Sequence, residues 1–177
     1  MEIELKIEVS SLEPLKLRLE QLGASFAGVV DESNLYFEQD GNLLRRGESL
    51  RLRRDQDARL TWKGPTDFRK GLVYREEIEV QVGDFDRARA ILDRLGFEMT
   101  DRLSKRRETW NLPGAVVALD ELAFGCFVEI EGDADCVHDV ARRLDLNPAD
   151  GIAQSYRWLQ HERGQASDLV PRLVDGS

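Results

Sequence analysis

The chain has 177 residues, with 41% hydrophobic and 33% charged positions and a formal charge of −9. That balance is of an ordered globular protein of one-domain size, and it argues against disorder and against non-specific binding to nucleic acid or anionic lipid. No apolar run approaches the ~20 residues that span a bilayer, and the opening lacks a basic segment followed by an apolar one, so a cytoplasmic protein is expected.

The first nine residues alternate strictly. Met1, Ile3, Leu5, Ile7 and Val9 interleave with Glu2, Glu4, Lys6 and Glu8, the period of a strand with one apolar and one charged face. Ser10-Ser11 then precede Leu12, Leu15, Leu19 and Leu22, spaced as one stripe of a helix that ends at Gly23. Strands follow at about 34–38, 49–54, 58–63 and 72–82, with Asp40-Gly41-Asn42 between the first two. Asp84 opens a second helical stripe of Phe85, Ala88, Leu92 and Leu95, closed by Gly96. Strands at 103–112, 115–121 and 125–131 come next, the first two joined by Pro113-Gly114. Asp133 opens a third helix carrying Val137, Val140, Ala141 and Leu144, and a last helix covers about 150–162. Residues 1–162 thus read as a single domain, and 163–177 as a strap or tail.

The triplet Glu-Ile-Glu recurs at 2–4, 77–79 and 129–131, each time shortly before a helix. Parity within the strands repeats the opening pattern. Arg51 and Arg53, Lys63, Arg75 with Glu77 and Glu79, Asp120, and Glu129 with Glu131 stand opposite mainly apolar neighbours, with Glu76 an exception, and Lys105 and Arg107 share a face. A wetted sheet face would account for any one doublet. The recurrence of Arg and Glu doublets, and the exposed edges an open antiparallel sheet would leave, favour closure. The fold class is α+β: a closed antiparallel barrel of about eight strands, its apolar face covered by helices and its charged face inward. The lumen then holds Glu2, Glu4, Glu77, Glu79, Asp120, Glu129 and Glu131 against Lys6, Arg51, Arg53, Lys63, Arg75, Lys105 and Arg107.

Ions held away from water cost several kcal/mol each unless paired, so such a lumen serves a ligand better than it serves stability. Carboxylates bind Mg²⁺ or Mn²⁺ through oxygen, and Arg and Lys clamp phosphate oxygens. A metal–polyphosphate complex satisfies both sets. His138 and His161 read as surface residues, and Cys126 and Cys136 as buried thiols outside any metal-binding spacing.

Glu2-x-Glu4-x-Lys6, Arg51-x-Arg53, Leu60-Thr61-Trp62-Lys63-Gly64-Pro65, Arg75-x-Glu77-x-Glu79, Lys105-x-Arg107, Asp120 and Gly125-Cys126-Phe127-Val128-Glu129-Ile130-Glu131 occur in that order. The ordered set resembles the CYTH domain, the triphosphate tunnel metalloenzymes, from residue 1 to about 160. The resemblance implies an eight-stranded tunnel that binds a triphosphate and a divalent metal, Mg²⁺ or Mn²⁺. It implies Glu2, Glu4, Glu129 and Glu131 as metal ligands with Asp120 in support. Lys6, Arg51, Arg53, Lys63, Arg75, Lys105 and Arg107 would hold the phosphates, and Lys6, Glu77 and Glu79 are the catalytic candidates. The family's chemistries are hydrolysis of a small triphosphate and cyclisation of ATP by class IV adenylyl cyclases; a non-catalytic polyphosphate-binding module is a third reading. Cyclases of that class carry a His-Phe pair just before the first strand, where this sequence has only Met1; against this, Tyr36-Phe37, Arg51-Leu52-Arg53, Lys63-Gly64-Pro65 and Arg75-Glu76-Glu77-Ile78-Glu79 also resemble the cyclase-like bacterial branch. Gln154 stands where many members have a Lys before Ser155-Tyr156. The partner expected is a small triphosphate, with no nucleic acid or membrane, and the protein is expected as a monomer or homodimer.

Overall fold

A computed structural model describes residues 1–164; the strap or tail expected beyond residue 162 lies outside the described residues from 165 onward. Ten antiparallel strands carry the fold: β1 (Glu2–Val9), β2 (Ser25–Glu38), β3 (Ser49–Arg54), β4 (Ala58–Lys63), β5 (Asp67–Arg69), β6 (Leu72–Arg75), β7 (Glu77–Val82), β8 (Glu98–Leu112), β9 (Ala115–Leu122) and β10 (Gly125–Gly132). The helices are α1 (Glu13–Gln21), a single turn α2 (Asn42–Arg45), α3 (Phe85–Arg94), α4 (Ala134–Arg143) and α5 (Tyr156–Glu162), with a 3₁₀ turn at Pro148–Asp150.

The strand order runs β5-β6-β1-β10-β9-β8-β2-β3-β4-β7. Its two ends belong to one long hairpin. Lys63 pairs with Glu77 and Asp67 with Tyr74, and Gly64 N–H donates to the Glu76 carbonyl between them. β4 and β5 are therefore one bent strand, and β6 and β7 are another that breaks only at Glu76. Because β6 also pairs with β1, Glu2 against Arg75 and Glu4 against Val73, the ring closes. Counted this way the barrel has the eight strands expected.

Closure gives each face a fixed destination. Outside, Leu5 and Ile7 of β1, Val117 and Leu119 of β9, and Val128 and Ile130 of β10 pack beneath Leu15 and Leu19 of α1 and Val137, Val140 and Ala141 of α4. α3 covers a second patch through Leu92 against Leu35, Phe37 and Leu52, and Asp84 caps it by accepting from the Arg87 N–H at 2.9 Å. Helices do not cover everything: Ile78 and Val80 on the outer face of β7 remain exposed.

One part of the lumen departs from the all-charged expectation. Leu103, Leu122 and Phe127 share the inward parity of Lys105, Asp120 and Glu129, and they pack against Tyr156 and Leu159 of α5. That region is sealed by apolar contact. Arg163, at the end of α5, clamps Glu8 with both terminal nitrogens (2.8 and 2.7 Å) and donates to the Phe124 carbonyl at 2.8 Å. Gly71, in the β5–β6 turn with φ +80°, is needed for contact: a Cβ there would meet the Pro148 carbonyl oxygen at 1.9 Å. Cys126 and Cys136 are half-buried free thiols rather than fully buried ones. No helix among the described residues is long and apolar enough to cross a membrane.

Candidate active site

A cavity of about 1410 Å³ occupies the barrel, and every predicted lumen residue except Asp120 lines it. The site sorts into an acidic rim, a wall of arginines and a cationic floor.

The rim is built by β1, β7 and β10. Glu4 and Glu131 are register partners on adjacent strands, so two carboxylates point inward side by side. Lys63 joins Glu2 (3.1 Å) to Glu77 (2.6 Å). Burial, a hydrogen bond to Glu77 and the charges of Glu4 and Glu77 push the Glu2 carboxyl up to about 8, against the pull of Lys63. Burial opposes ionisation of Glu77 too, but the hydrogen bond from Glu2 with the charges of Lys63 and Arg51 brings it down to about 2. One proton is thus held on the Glu2 side of the pair. Burial and the charges of Glu4 and Glu77 also raise Glu131. The rim holds more negative charge than its cations neutralise.

The wall comes from β3, β4 and β6. Arg51 donates to Thr61 Oγ1 at 3.3 Å, and Thr61 donates to Glu79 at 2.8 Å. Glu79 lies between Arg51 (3.6 Å), Arg53 (3.8 Å) and Arg59 (3.6 Å). Arg75 Nε donates to the Gly64 carbonyl at 2.8 Å, which ties it to the kink between β4 and β5. Arg51 Nε is buried without a hydrogen-bond acceptor, while Arg53 Nε faces the Asp55 carboxylate at 3.3 Å. An unpaired buried donor costs ~1–3 kcal/mol, so Arg51 is set for an anion.

The floor is the most enclosed part. Lys6 reaches Glu129 (3.2 Å), Glu4 (3.5 Å) and the Gln154 carbonyl (3.4 Å). Burial acts to lower Lys6, but Glu4 and Glu129 outweigh it and raise it, so it stays charged. Lys105 goes the other way, lowered by burial and by neighbouring Arg107. Arg107 forks onto Asp120 (2.7 and 2.6 Å) and also binds Glu129. Asp120 takes two further donors, Lys105 at 3.0 Å and the Tyr156 hydroxyl at 2.9 Å. Fully buried and bound to these donors, Asp120 sits behind the cavity as counter-ion to the floor cations, apart from the rim carboxylates with which it was grouped as a metal support.

Several site residues lay beyond the sequence reading. Glu32 is buried at the centre of Arg53 (3.6 Å), Lys105 (3.7 Å) and Arg107 (3.8 Å). It was missed because β2 starts at Ser25, well before the predicted 34; the inward alternation Glu32, Asn34, Tyr36, Glu38 was the available signal. Tyr156 was noted only as a motif position. His161 is exposed, as expected, and from the cavity's edge also hydrogen-bonds Asp101, beside an Arg157–Asp101 ion pair. His138 sits on α4 near the Lys70 carbonyl, away from the cavity.

Among the described residues no three His, Cys, Asp or Glu side chains form a ready-made metal cluster. Mg²⁺ rarely needs one: it keeps several waters and takes one or two carboxylates together with substrate phosphates. The rim of Glu2, Glu4 and Glu131, where Lys63 and Lys6 answer the first two and burial and like charge raise the third, fits a divalent cation delivered in that way. Glu129, spanned by Lys6 and Arg107, has less free oxygen to offer.

The comparisons agree with this geometry. A candidate adenylate cyclase of Methanocaldococcus jannaschii is 28% identical over 149 residues, covering 82% of this chain and 84% of that protein. A protein of Pyrococcus horikoshii matches in structure with TM-score 0.78 and 29% identity, over 90% of this chain and 99% of that one. A candidate adenylyl cyclase of Hippeastrum, described as revealing a dominant triphosphatase activity, shares the fold with TM-score 0.69 and 19% identity, over 96% of this chain and 99% of that one. The CYTH domain model matches residues 1–156, and with the closed ring of charged strands beneath that match, the chain belongs to the CYTH domain family.

Proposed function

We propose that this chain is a divalent-metal-dependent hydrolase of a small triphosphate, cleaving the terminal phosphoanhydride of tripolyphosphate, thiamine triphosphate or a nucleoside triphosphate. The observation that carries the reading is the polarity of one enclosed lumen: cations on the wall and floor, with an unused donor at Arg51, and several carboxylates at the rim. Arg51, Arg53 and Lys63 bind phosphate oxygens from the wall, Arg51 through its unpartnered Nε. Lys6 and Arg107 neutralise charge from the floor, where burial strengthens each contact. Mg²⁺ or Mn²⁺, held by Glu2, Glu4 and Glu131, supplies charge neutralisation on phosphate oxygens.

Phosphoryl transfer passes through a loose transition state in which positioning and charge do most of the work. Glu77, held near 2 and so ionised, is a poor proton acceptor but a good hydrogen-bond acceptor. It therefore orients the attacking water. Glu79, bridged by three arginines and Thr61, fixes the wall.

A second reading, cyclisation of ATP to cyclic AMP and pyrophosphate, is favoured by the name of the archaeal relative and by the cavity's reach to Tyr36, Leu44 and Trp158, beyond the phosphate-binding cations. Incubation with Mg²⁺ or Mn²⁺ and, separately, tripolyphosphate, thiamine triphosphate and ATP distinguishes the two. Orthophosphate release is the expected result. Cyclic AMP with pyrophosphate from ATP, and intact tripolyphosphate, would transfer the assignment to the cyclase.

A further inference from the structure

Tyr156 is the first residue of α5, and it enters the site from outside the barrel strands. Its ring lies beneath two lysines from different strands, 4.6 Å from Lys6 Nζ and 5.0 Å from Lys105 Nζ. Both distances are within the ~6 Å at which an ammonium is attracted to an aromatic face. Its hydroxyl donates to Asp120 at 2.9 Å, the carboxylate that also binds Lys105 and Arg107. An edge contact with Phe127 at 5.1 Å fixes the ring plane, and Ser155 Oγ, accepting from the Trp158 N–H at 3.2 Å, fixes the start of the helix. Gln154, two residues earlier, accepts from Lys6 through its carbonyl.

Lysine is a point charge on a flexible stem, and a lysine free to wander in a wide cavity grips a phosphate weakly. Here the two floor lysines share one aromatic plate. We propose that Tyr156 is a positioning residue of the triphosphate grip: its face fixes Lys6 and Lys105 and so sets the geometry of the cavity floor. This rests on the triphosphate reading for its consequence in binding, but not for the arrangement of the lysines.

The test compares Tyr156→Phe, which keeps the face, with Tyr156→Met, which keeps a comparable apolar volume without it. Leu159→Ala loosens the same apolar cluster without touching either lysine. Three quantities are read: affinity for magnesium tripolyphosphate by calorimetry, kcat against KM, and the rate of amine acylation at Lys6 and Lys105 relative to exposed Lys70 by mass spectrometry. The Met variant should lose roughly tenfold in tripolyphosphate affinity, with KM moving more than kcat, and its two floor lysines should acylate several times faster while Lys70 does not change. The Phe variant should remain within about threefold of wild type. Leu159→Ala should lower Tm and leave the labelling pattern alone. Tyr156→Leu is read in the same way as the Met variant.

A folded Met or Leu variant with wild-type labelling overturns the proposal. So does a Phe variant as impaired as the Met one, or a Leu159→Ala variant that reproduces the labelling change. Wild-type protein that fails to retain tripolyphosphate overturns the triphosphate reading instead, and the labelling contrast still decides the role of Tyr156.

Discussion

Lys6 of β1 and Glu129 of β10 are register partners whose side chains meet inside the barrel, Nζ 3.2 Å from Oε1, with Arg107 closing on the other carboxylate oxygen. Lys6 and Arg107, from strands on either side of the β9–β10 hairpin, are thereby held at one depth by a single acid. Burial works against ionisation of Glu129, yet Lys6 and Arg107 hold it well below the usual carboxylate range. Removing one member of such a buried group leaves the others uncompensated, at ~3–5 kcal/mol. Glu129→Gln should therefore shift denaturant unfolding to lower concentration by about that amount. An unchanged midpoint would mean that the floor cations do not depend on it.

Rim carboxylates should behave differently. Glu4 and Glu131 face each other, and the charge of Glu4 helps to raise Glu131. Glu4→Gln or Glu131→Gln removes repulsion together with metal-binding charge. Turnover should be lost in both, with Tm unchanged or slightly higher for Glu131→Gln and lower for Glu4→Gln, which also takes a carboxylate from buried Lys6 at 3.5 Å. Steady-state assays beside thermal melts check this, and full activity in both variants would contradict the metal assignment.

Arg53 lies with Nε 3.3 Å from Asp55 and its terminal nitrogens paired loosely with Glu32 at 3.6 Å and Glu79 at 3.8 Å. Arg53→Ala should weaken tripolyphosphate binding by ~1.5–3 kcal/mol, one charge-assisted contact, or about one to two orders of magnitude in Kd. Glu32 keeps Lys105 and Arg107 as partners, so the fold should survive. Calorimetric titration gives the number, and a collapse of Tm instead would make Arg53 a structural ion-pair partner.

Stability of the metal-free protein should depend on pH through Glu2. Its carboxyl sits at about 8 in the fold, chiefly through burial and the hydrogen bond to Glu77, against an ordinary value of 4.5. Between those values the folded state holds a proton that the unfolded state has released. Its contribution is fully present below about 4.5 and is lost as pH rises through about 8. Glu77, depressed to about 2, contributes stability above 4.5 that disappears only in strong acid. Tm in chelator should therefore fall between pH 5 and 9, and Glu2→Gln should flatten that fall. Parallel slopes in wild type and variant would remove Glu2 as the cause.

Period-2 alternation made most of this barrel readable, because a strand buried on one face must segregate its residues and a closed ring gives the charged face only one place to go. The Arg51, Arg53, Lys63 and Glu77 positions followed from parity alone. What parity could not give was depth. Asp120 shares the inward face, but its place behind the cavity depends on Tyr156 arriving from α5, a contact between residues 36 apart in sequence. Glu32 went unread because Ala27-Gly28, Val29-Val30 and Asp31-Glu32-Ser33 break the alternation at the start of β2, with a register shift between Phe26 and Gly28. Leu103, Leu122 and Phe127 share the parity of the charged face in sequence, but that α5 packs on them through Tyr156 and Leu159 to make an apolar seal is a tertiary contact parity does not show.

Diffraction from crystals soaked in magnesium tripolyphosphate would put the phosphorus atoms directly against these side chains. The anion should thread the lumen, its oxygens within hydrogen-bond distance of Arg51, Arg53, Lys63 and Arg107, with the cation towards Glu4 and Glu131. Phosphate density confined to the outer surface, with the lumen ion pairs intact and the cavity holding only solvent, would contradict the account.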